Sequence, residues 1–565
     1  MKTRTVRLGT GETPGATRIT RRDFLKIGGT GLAGATLLGT AGCGSIFGGE
    51  QGGTGGGGGG SNAISVQLGD SVRDLDSTTT TDSASTQILD NVMEGLYRLD
   101  PDEKPVPAQA ESVDISDDGL THTFTLRDGL KWSNGDPLTS QDFKYAWLRA
   151  LHPDTAGQYA YILSTFIKGA DEFNTGKGSA EDVAIETPDD KTLEVTLIGP
   201  SPFWLGLTSF FTYYPQNQKF VEQQGEQYAQ NAKALIYNGP YIITQFEATQ
   251  GATLVKNEDY WDAENVDIEK ADLKIVKEAD TGVNLYESGE LDEFEIEGEY
   301  VAQYKDTPDF WSQTYFISQY LVPQLSMPIF QNKNILRAFQ MSFDRQALVD
   351  KILNNGSLPA TGYVPDGVAG PGDQTFREAQ GPVMPEYDPE QAKELFQKGV
   401  EEVGENPTIE YLCYDTSVDR DIATFLQQEW NNMGAKVSVN VQPFDRALDL
   451  QASGDFQLSF QGWIADYNDP MTFLDLFEPG SSFNTSNYEN ERFGQLISGA
   501  REEADPARRM DMLMEAERIL VEEDAAIAPV YFEGEAHLVR PSIQDTYVDH
   551  RYGGGDDMRW WKLEG

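Results

Sequence analysis

The sequence predicts a mixed α/β protein folded in at least two lobes, and three observations carry that expectation. The chain has 565 residues, whereas a single hydrophobic core stops growing at roughly 250–300 residues. Segments in which apolar and polar side chains alternate with period two recur along it, the mark of strands with one buried face. Between them stand segments that open on an Asp-Pro pair and continue as amphipathic helices. Hydrophobic residues at 39% and aromatics at 11% give such a chain the means to bury a core.

From the N-terminus, "TRRDFLKIGGTGLAGATLLGTAGC" opens with Arg21 and Arg22, continues through Phe24, Leu25 and Lys26, and runs weakly apolar from Ile27 to Ala41. It reads as a signal peptide, residues 1–42. Its apolar part falls short of the ~20 residues a helix needs to cross a bilayer and is diluted with glycine and threonine. "TRRDFLK" resembles the twin-arginine export motif, and "TAGC" resembles a lipobox whose cysteine, Cys43, becomes lipidated and N-terminal after cleavage. Thr40 stands where lipoboxes usually carry an aliphatic residue. The following "GGEQGGTGGGGGGSNA" lacks the lysine of a phosphate-binding loop and reads as a flexible tether over residues 43–62.

In the body, "LTHTFTLRDGLKW" predicts a strand over Leu120–Leu126 closed by a turn at Asp128-Gly129. Asp388-Pro389 supplies a capping carboxylate and a first-turn proline before "EQAKELFQKGVEEV". "DFQLSFQG" alternates Phe456, Leu458 and Phe460 with Gln457, Ser459 and Gln461, predicting a strand with one buried face. Asp469-Pro470 then opens a helix through "MTFLDLF", and "ARRMDMLMEAERILVEED" predicts a long amphipathic helix whose Met510, Met512 and Met514 pack. No short-period repeat and no clean linker interrupts the body, so the chain is expected to pass between its lobes more than once.

The balance of residue types excludes several functions. Asp+Glu 91 against Lys+Arg 43 gives a net charge of -48, which repels polyphosphate backbones, so no nucleic-acid partner is expected. The two cysteines, Cys43 and Cys413, and the four histidines, His122, His152, His537 and His550, form no zinc or haem motif, so no metal or cofactor is expected. With Cys43 acylated, Cys413 has no intramolecular partner. Neither a G-x-S-x-G elbow, an H-E-x-x-H pair nor a Walker sequence occurs. So acidic a chain offers many carboxylate pairs, but nothing distinguishes two of them as a glycosidase acid and nucleophile.

The stretch "GWIADYNDP", Gly462 to Pro470, is the sharpest local signal. A carboxylate beside a tryptophan, just past an apolar strand, is placed either to hold a cation or to finish a turn. A calcium loop fails on detail, because its twelfth position is Phe477 where a bidentate Glu is needed.

Several blocks resolve the alternatives by resemblance. "NVMEGLYRLD", "THTFTLRDGLKWSNGDPLTSQDFKYAW", "DDKTLEVTLIGPSPFW", "NGPYIITQFE", "LYESGELDEFEI", "RAFQMSFDRQALV" and "GDFQLSFQGWIADYNDPMTFLDLF" stand in the order and spacing of the extracytoplasmic solute-binding protein family 5. That family comprises the peptide-binding components of ABC importers, and the resemblance covers nearly everything from Ala63 onward. It implies a two-lobed periplasmic-binding-protein-like fold (type II, cluster C) with an extra subdomain in the first lobe. Lobe I would comprise 63–99, 217–320 and 536–565, the subdomain 100–216, and lobe II 321–535. It implies that two lobes close on an extended peptide, with Asp466 of the G-W-x-A-D-Y segment holding the ligand's α-ammonium through a charge-assisted hydrogen bond. The capping role then passes to Asp469. Gly462, Trp463 and Tyr467 would border the ligand, Gly462 and Trp463 with main-chain bonding of an added strand, and Tyr159 in "AGQYAYIL" would face it. Phe460 replaces the arginine that oligopeptide binders of the family offer to a peptide's C-terminal carboxylate.

The resemblance therefore implies a non-enzymatic, monomeric lipoprotein outside the cell membrane, held there through Cys43 and passing oligopeptides to an ABC permease and its ATPase. Relatives that bind nickel chelates or oligosaccharides leave the cargo open. A secreted carbohydrate-active enzyme and a sensory partner that reports occupancy are the readings from other classes.

The carboxylate excess strains the compact state at low salt, which points to a salt-rich habitat. Raising salt from about 0.1 M to molar concentration, which collapses the Debye length from ~10 Å to ~3 Å, is expected to raise the thermal unfolding midpoint. A midpoint indifferent to salt removes the inference.

Overall fold

The computed structural model describes residues 62–69, 71–481, 483–543, 547–553 and 555–564, all within one unit that begins at Gly60. Arg21, Arg22 and Cys43 lie outside the described residues. No helix among those described is long and apolar enough to cross a membrane.

The strands, in chain order, are β1 (Ala63–Leu68), β2 (Tyr97–Leu99), β3 (Pro105–Pro107), β4 (Ala110–Ile115), β5 (Thr121–Leu126), β6 (Ile185–Asp189), β7 (Thr192–Thr196), β8 (Tyr241–Glu247), β9 (Gly251–Lys256), β10 (Lys270–Ile275), β11 (Glu293–Glu295), β12 (Phe310–Pro323), β13 (Leu358–Pro359), β14 (Thr408–Tyr414), β15 (Lys436–Gln442), β16 (Leu458–Ile464) and β17 (Ala528–Val539). One mixed sheet runs β15-β14-β16-β12-β17-β11-β1-β10-β9-β8, with β13 paired to β17 off that path. β12 and β17 form its middle, so the α/β body is two-lobed about this pair. The run β16-β14-β15 extends to one side and β11-β1-β10-β9-β8 to the other. A separate antiparallel sheet, β4-β5-β7-β6, buries Phe124, Leu193 and Val195 completely, and its neighbours include Trp147 and Trp204, which meet edge to face at 6.4 Å.

The alternation in β5 holds: its burial repeats with period two, and the chain turns at Gly129 with φ +76°. Asp388 caps the helix Pro389–Val403, its side chain accepting the Gln391 N–H at 2.9 Å, and left-handed Gly404 ends it. Ser417–Met433 packs on β14 and Pro389–Val403 packs on the helices Ser417–Met433 and Lys333–Met341, closing a second core around Phe339, Phe396, Tyr411 and Trp430. The predicted C-terminal helix spans Pro506–Glu517 and widens into a π-helical turn over Arg518–Glu523. Met510 is buried, and Met512 and Met514 pack partly buried on the core. Cys413 is buried with a free thiol, pushed up to about 12 by burial.

One strand departs from expectation. "DFQLSF" predicts a single buried face beginning at Phe456, but β16 begins at Leu458, and Ser459 is as buried as Leu458 and Phe460. Leu458 and Phe460 pack into the second core on one face, and on the other the helix Phe444–Ala452 brings Gln451 Nε2 to the Ser459 hydroxyl at 3.0 Å, so both faces are covered. For the same reason the two longest strands, β12 and β17, show no clean alternation: most of their residues are buried on both faces.

Residues 547–553 and 555–564 return to the β11-β1-β10-β9-β8 side of the sheet. Arg559 Nη1 reaches Glu94 Oε1 at 2.7 Å and its Nε reaches Asp557 at 2.7 Å, while Glu94 also accepts Trp261 Nε1 and Gln109 Nε2, each at 2.7 Å. Met558 and Trp561 are fully buried.

Gly534 sits in β17 where β12 and the Gly356–Ser357 turn converge. A Cβ there would lie 2.3 Å from the carbonyl carbon of Gly356. Gly534→Ala is expected to cost about 1–3 kcal/mol, the range for overpacking, read as a lowered calorimetric unfolding midpoint; an unchanged midpoint contradicts the packing described.

Candidate ligand site

At the end of β16 the chain leaves the sheet through Ala465 and turns along the wall of a cavity of ≈310 Å³. The walls come from distant parts of the sequence: β1 and the start of the helix Ser83–Val92, Tyr159, Phe210 and Phe211, β11, β12, β17, and residues 549–553, 555 and 556. Asp466 lies in this wall, 6% exposed. Its N–H donates to Thr472 Oγ1 at 3.2 Å, and Tyr161 donates its hydroxyl to Oδ2. Asp466 has no ion-pair partner among the described residues. Burial pushes its carboxyl up to about 7, with the Tyr161 hydroxyl opposing and nearby Asp475 adding to the rise.

Asp469, three residues on, contrasts with it. It is 2% exposed but receives Arg509 through two hydrogen bonds of 2.7 Å, and its Oδ1 accepts the Met471 N–H at 3.0 Å, opening the short helix Met471–Leu474. The cap expected of Asp469 is therefore present, joined to a buried ion pair invisible in the sequence. One of two neighbouring buried aspartates is neutralised by the fold and the other is left facing a cavity.

The other expected residues divide. Tyr159 lines the cavity with Phe210 and Phe211, its ring 5.2 Å from each. Trp463 packs edge-on to Phe483 at 5.1 Å and, with Gly462, precedes the cavity lining, which takes up Ile464, Ala465 and Asp466. Tyr467 turns the opposite way, 2% exposed and stacked on Phe203 at 4.3 Å; it buttresses the loop. Phe460 points into the second core. Tyr161, which holds Asp466, stands two residues beyond Tyr159 in the same segment and carried no separate signal.

The backbone of β16 adds a second feature. β14 pairs with it only opposite Leu458 and Ser459, so beyond that point one edge of β16 has no strand beside it. Ala465 N–H donates to Phe316 O, and Trp463 pairs with Ser318 of β12. The antiparallel alternation then turns the N–H and C=O of Gly462 and Ile464 away from β12, toward the free edge, where Ile464 is 53% exposed.

Deeper in the cavity, Glu535 and His537 of β17 stand two residues apart on one face, with Glu293 and Glu295 of β11 beside them and Asp549 opposite. His537 Nδ1 lies 2.7 Å from Glu293 Oε1. Burial and the neighbouring carboxylates push the carboxyls of Glu295 and Asp549 well up, and that of Asp556 up to about 8. Spacing along the chain concealed this group, because its members come from three separate segments; the period-two run Glu533, Glu535, His537 was its one local trace.

The model of the bacterial extracellular solute-binding proteins, family 5 Middle, matches residues 104–485. The dipeptide-binding protein DppE of Bacillus subtilis is 35% identical over 85% of this chain and 88% of its own length. The oligopeptide-binding protein OppA of the same organism is 34% identical over 83% and 89%. Among solved structures, Listeria monocytogenes OppA bound to peptide superposes with a TM-score of 0.81 at 33% identity, over 90% of this chain and all of that one.

Removing one partner of a buried ion pair leaves an uncompensated charge, at a cost of about 3–5 kcal/mol. Arg509→Ala is expected to destabilise by that order in denaturant unfolding at neutral pH, and Asp469→Asn in the same background to recover part of the loss.

Proposed function

The chain belongs to the bacterial extracellular solute-binding proteins of family 5, and we propose that it captures oligopeptides between its two lobes and delivers them to an ABC import permease. The observation that carries the reading is Asp466, a buried carboxylate with no cation from the protein, facing a cavity. A desolvated anion of this kind is costly unless protonated or paired. A peptide's α-ammonium supplies the missing charge and donates the charge-assisted hydrogen bonds the carboxylate can accept. The outward N–H and C=O groups of Gly462 and Ile464 offer the ligand's backbone a strand to pair with, which binds without regard to side chains. Tyr159, Phe210 and Phe211 give the ligand's first side chain an aromatic wall.

On this reading 63–99, 217–320 and 536–565 form lobe I, 321–535 forms lobe II, and 100–216, which contains the β4-β5-β7-β6 sheet, forms the extra subdomain. β12 and β17, at the junctions of these ranges, are where the lobes hinge. The protein binds and releases its ligand unchanged as a monomer. It is held at the outer face of the membrane through a lipid on Cys43 after export directed by Arg21 and Arg22.

Calorimetric titration with free and N-acetylated peptides of three to six residues tests the reading. Acetylation, or Asp466→Asn, is expected to lower affinity at least about 30-fold, since leaving one member of a buried charge pair unmatched costs about 2–5 kcal/mol. At pH 6 the free carboxyl is largely protonated and must ionise on binding, so a proton is released, visible as a heat that varies with the buffer. Affinity should rise as pH climbs toward 7 and fall once the ligand's α-amino group, with a pKa of about 7.7–8.0, loses its proton. Tight binding untouched by acetylation and mutation would reduce Asp466 to a structural role, and no peptide binding at all would point to another solute.

A further inference from the structure

We propose that Glu535, His537 and Asp549 form a binding site for one divalent transition-metal ion in the cavity, with Glu293 as the residue that orients the histidine. The donor atoms of the three side chains all lie within 4.8 Å of one another, so small side-chain rotations bring a central ion within the ~2.0–2.2 Å bonds that imidazole and carboxylate ligands make to such metals.

The state of His537 separates this group from an ordinary acidic cluster. Its side chain is 9% exposed and Nε2 makes no hydrogen bond; Oε2 of Glu535 lies 3.4 Å away, outside hydrogen-bond geometry. Nδ1, by contrast, is engaged by Glu293 at 2.7 Å. A carboxylate on one ring nitrogen fixes the tautomer and turns the other lone pair outward, the arrangement that supports metal-bound histidines. Here Nε2 faces the Glu535 carboxylate, a position that takes either a ring proton, which the flanking Glu293 and Glu535 carboxylates favour, or a metal ion that displaces it. The other ligands are braced too. Tyr315 donates its hydroxyl to Asp549 Oδ2, leaving Oδ1 for an ion, and Gln313 Nε2 holds the Asp549 carbonyl at 2.7 Å. The Trp311 and Tyr547 rings stand 5.4 Å and 6.1 Å from the imidazole and restrict water.

One imidazole with two carboxylates suits zinc, iron, cobalt or nickel better than magnesium or calcium, which favour all-oxygen sites. Three protein ligands leave coordination positions open toward the cavity. An ion held there would present a Lewis-acidic centre to a carbonyl or carboxylate oxygen of whatever occupies the cavity. The site does not depend on the identity of that occupant.

The test uses the full-length protein stripped with chelator and titrated with Zn²⁺ and Co²⁺ in molar salt, which suppresses diffuse binding to the acidic surface. One equivalent of Zn²⁺ is expected, Co²⁺ should develop ligand-field absorption in the visible, and Mg²⁺ should not compete. His537→Gln should weaken Zn²⁺ binding at least 100-fold and Glu293→Gln 10–100-fold, the range for an orienting partner. Circular dichroism and a cooperative thermal transition in chelator report that each variant is folded, which keeps the outcome separate from that of the peptide reading on which nothing here depends. Should His537→Gln fail to fold, anomalous scattering at the zinc edge from wild-type crystals decides, by a peak bonded to all three ligands. Absence of stoichiometric Zn²⁺ uptake, or uptake unchanged by His537→Gln and matched by Mg²⁺, overturns the proposal. So does a lysine-bearing peptide that binds through Glu535 and Asp549 while Zn²⁺ does not, which would assign the group to a ligand's basic side chain.

Discussion

The pairing of β12 with β17 is the constraint on which the rest of the body depends. These strands run antiparallel from Phe310 opposite Leu538 to Leu321 opposite Ala528, with a register shift between Thr314 and Ser318. Each also borders one half of the sheet, β12 through β16 and β17 through β11. The shift frees Tyr315, Phe316 and Ile317 from the regular ladder. Phe316 uses its backbone to take the Arg551 carbonyl and to receive Ala465 N–H, so the segment carrying Asp466 and the one carrying Asp549 are tied to the same irregular turn of one strand. Tyr315 and Ile317 face the cavity. A bulge of this kind bends and twists the ribbon, which places the opening between the two sides of the sheet rather than on a flat surface.

Around that frame the protein treats its acids unequally. Asp469 and Glu94 are given arginines and a full set of donors, and they hold loops in place. Asp466, Glu535 and Asp549 line a shared cavity with fewer cations than carboxylates. In a chain with net charge -48 an exposed carboxylate carries no information. A buried one does, because burial is costly unless a partner offsets it, and the distribution of such partners separates the acids that hold loops from those that face the cavity without a counter-ion of equal charge.

How much of this was legible in the sequence varies by element. β5 and the helix Pro389–Val403 were readable because one face of each is wet and their ends carry turn and cap residues. Phe456 to Phe460 looked equally clear, yet its polar Ser459 is fully buried, since the helix Phe444–Ala452 covers that face and its Gln451 takes the hydroxyl. Asp466 stood out through its neighbours Gly462 and Trp463, whereas Tyr467 in the same motif faces Phe203 on the far side of the loop. Arg509 and Tyr161, which decide the states of Asp469 and Asp466, are 40 and 305 positions away from them. Nothing local marks such a partner. The same holds for Glu293 and His537, joined across 244 positions.

The docking of the C-terminal segment that carries Arg559 onto the β11-β1-β10-β9-β8 side of the sheet has a consequence in time. Glu94 and Arg559 are separated by 465 positions. At a synthesis rate of ~5–20 residues per second, roughly 20–90 s pass between their emergence from the ribosome. Throughout that interval the glutamate lacks its arginine and the surface that Trp561 will cover stays open to solvent. The earlier half of the chain therefore cannot reach its final packing as it is made. It spends its youth as a partly assembled body, a state in which chaperones and proteases, rather than the native contacts, decide its fate.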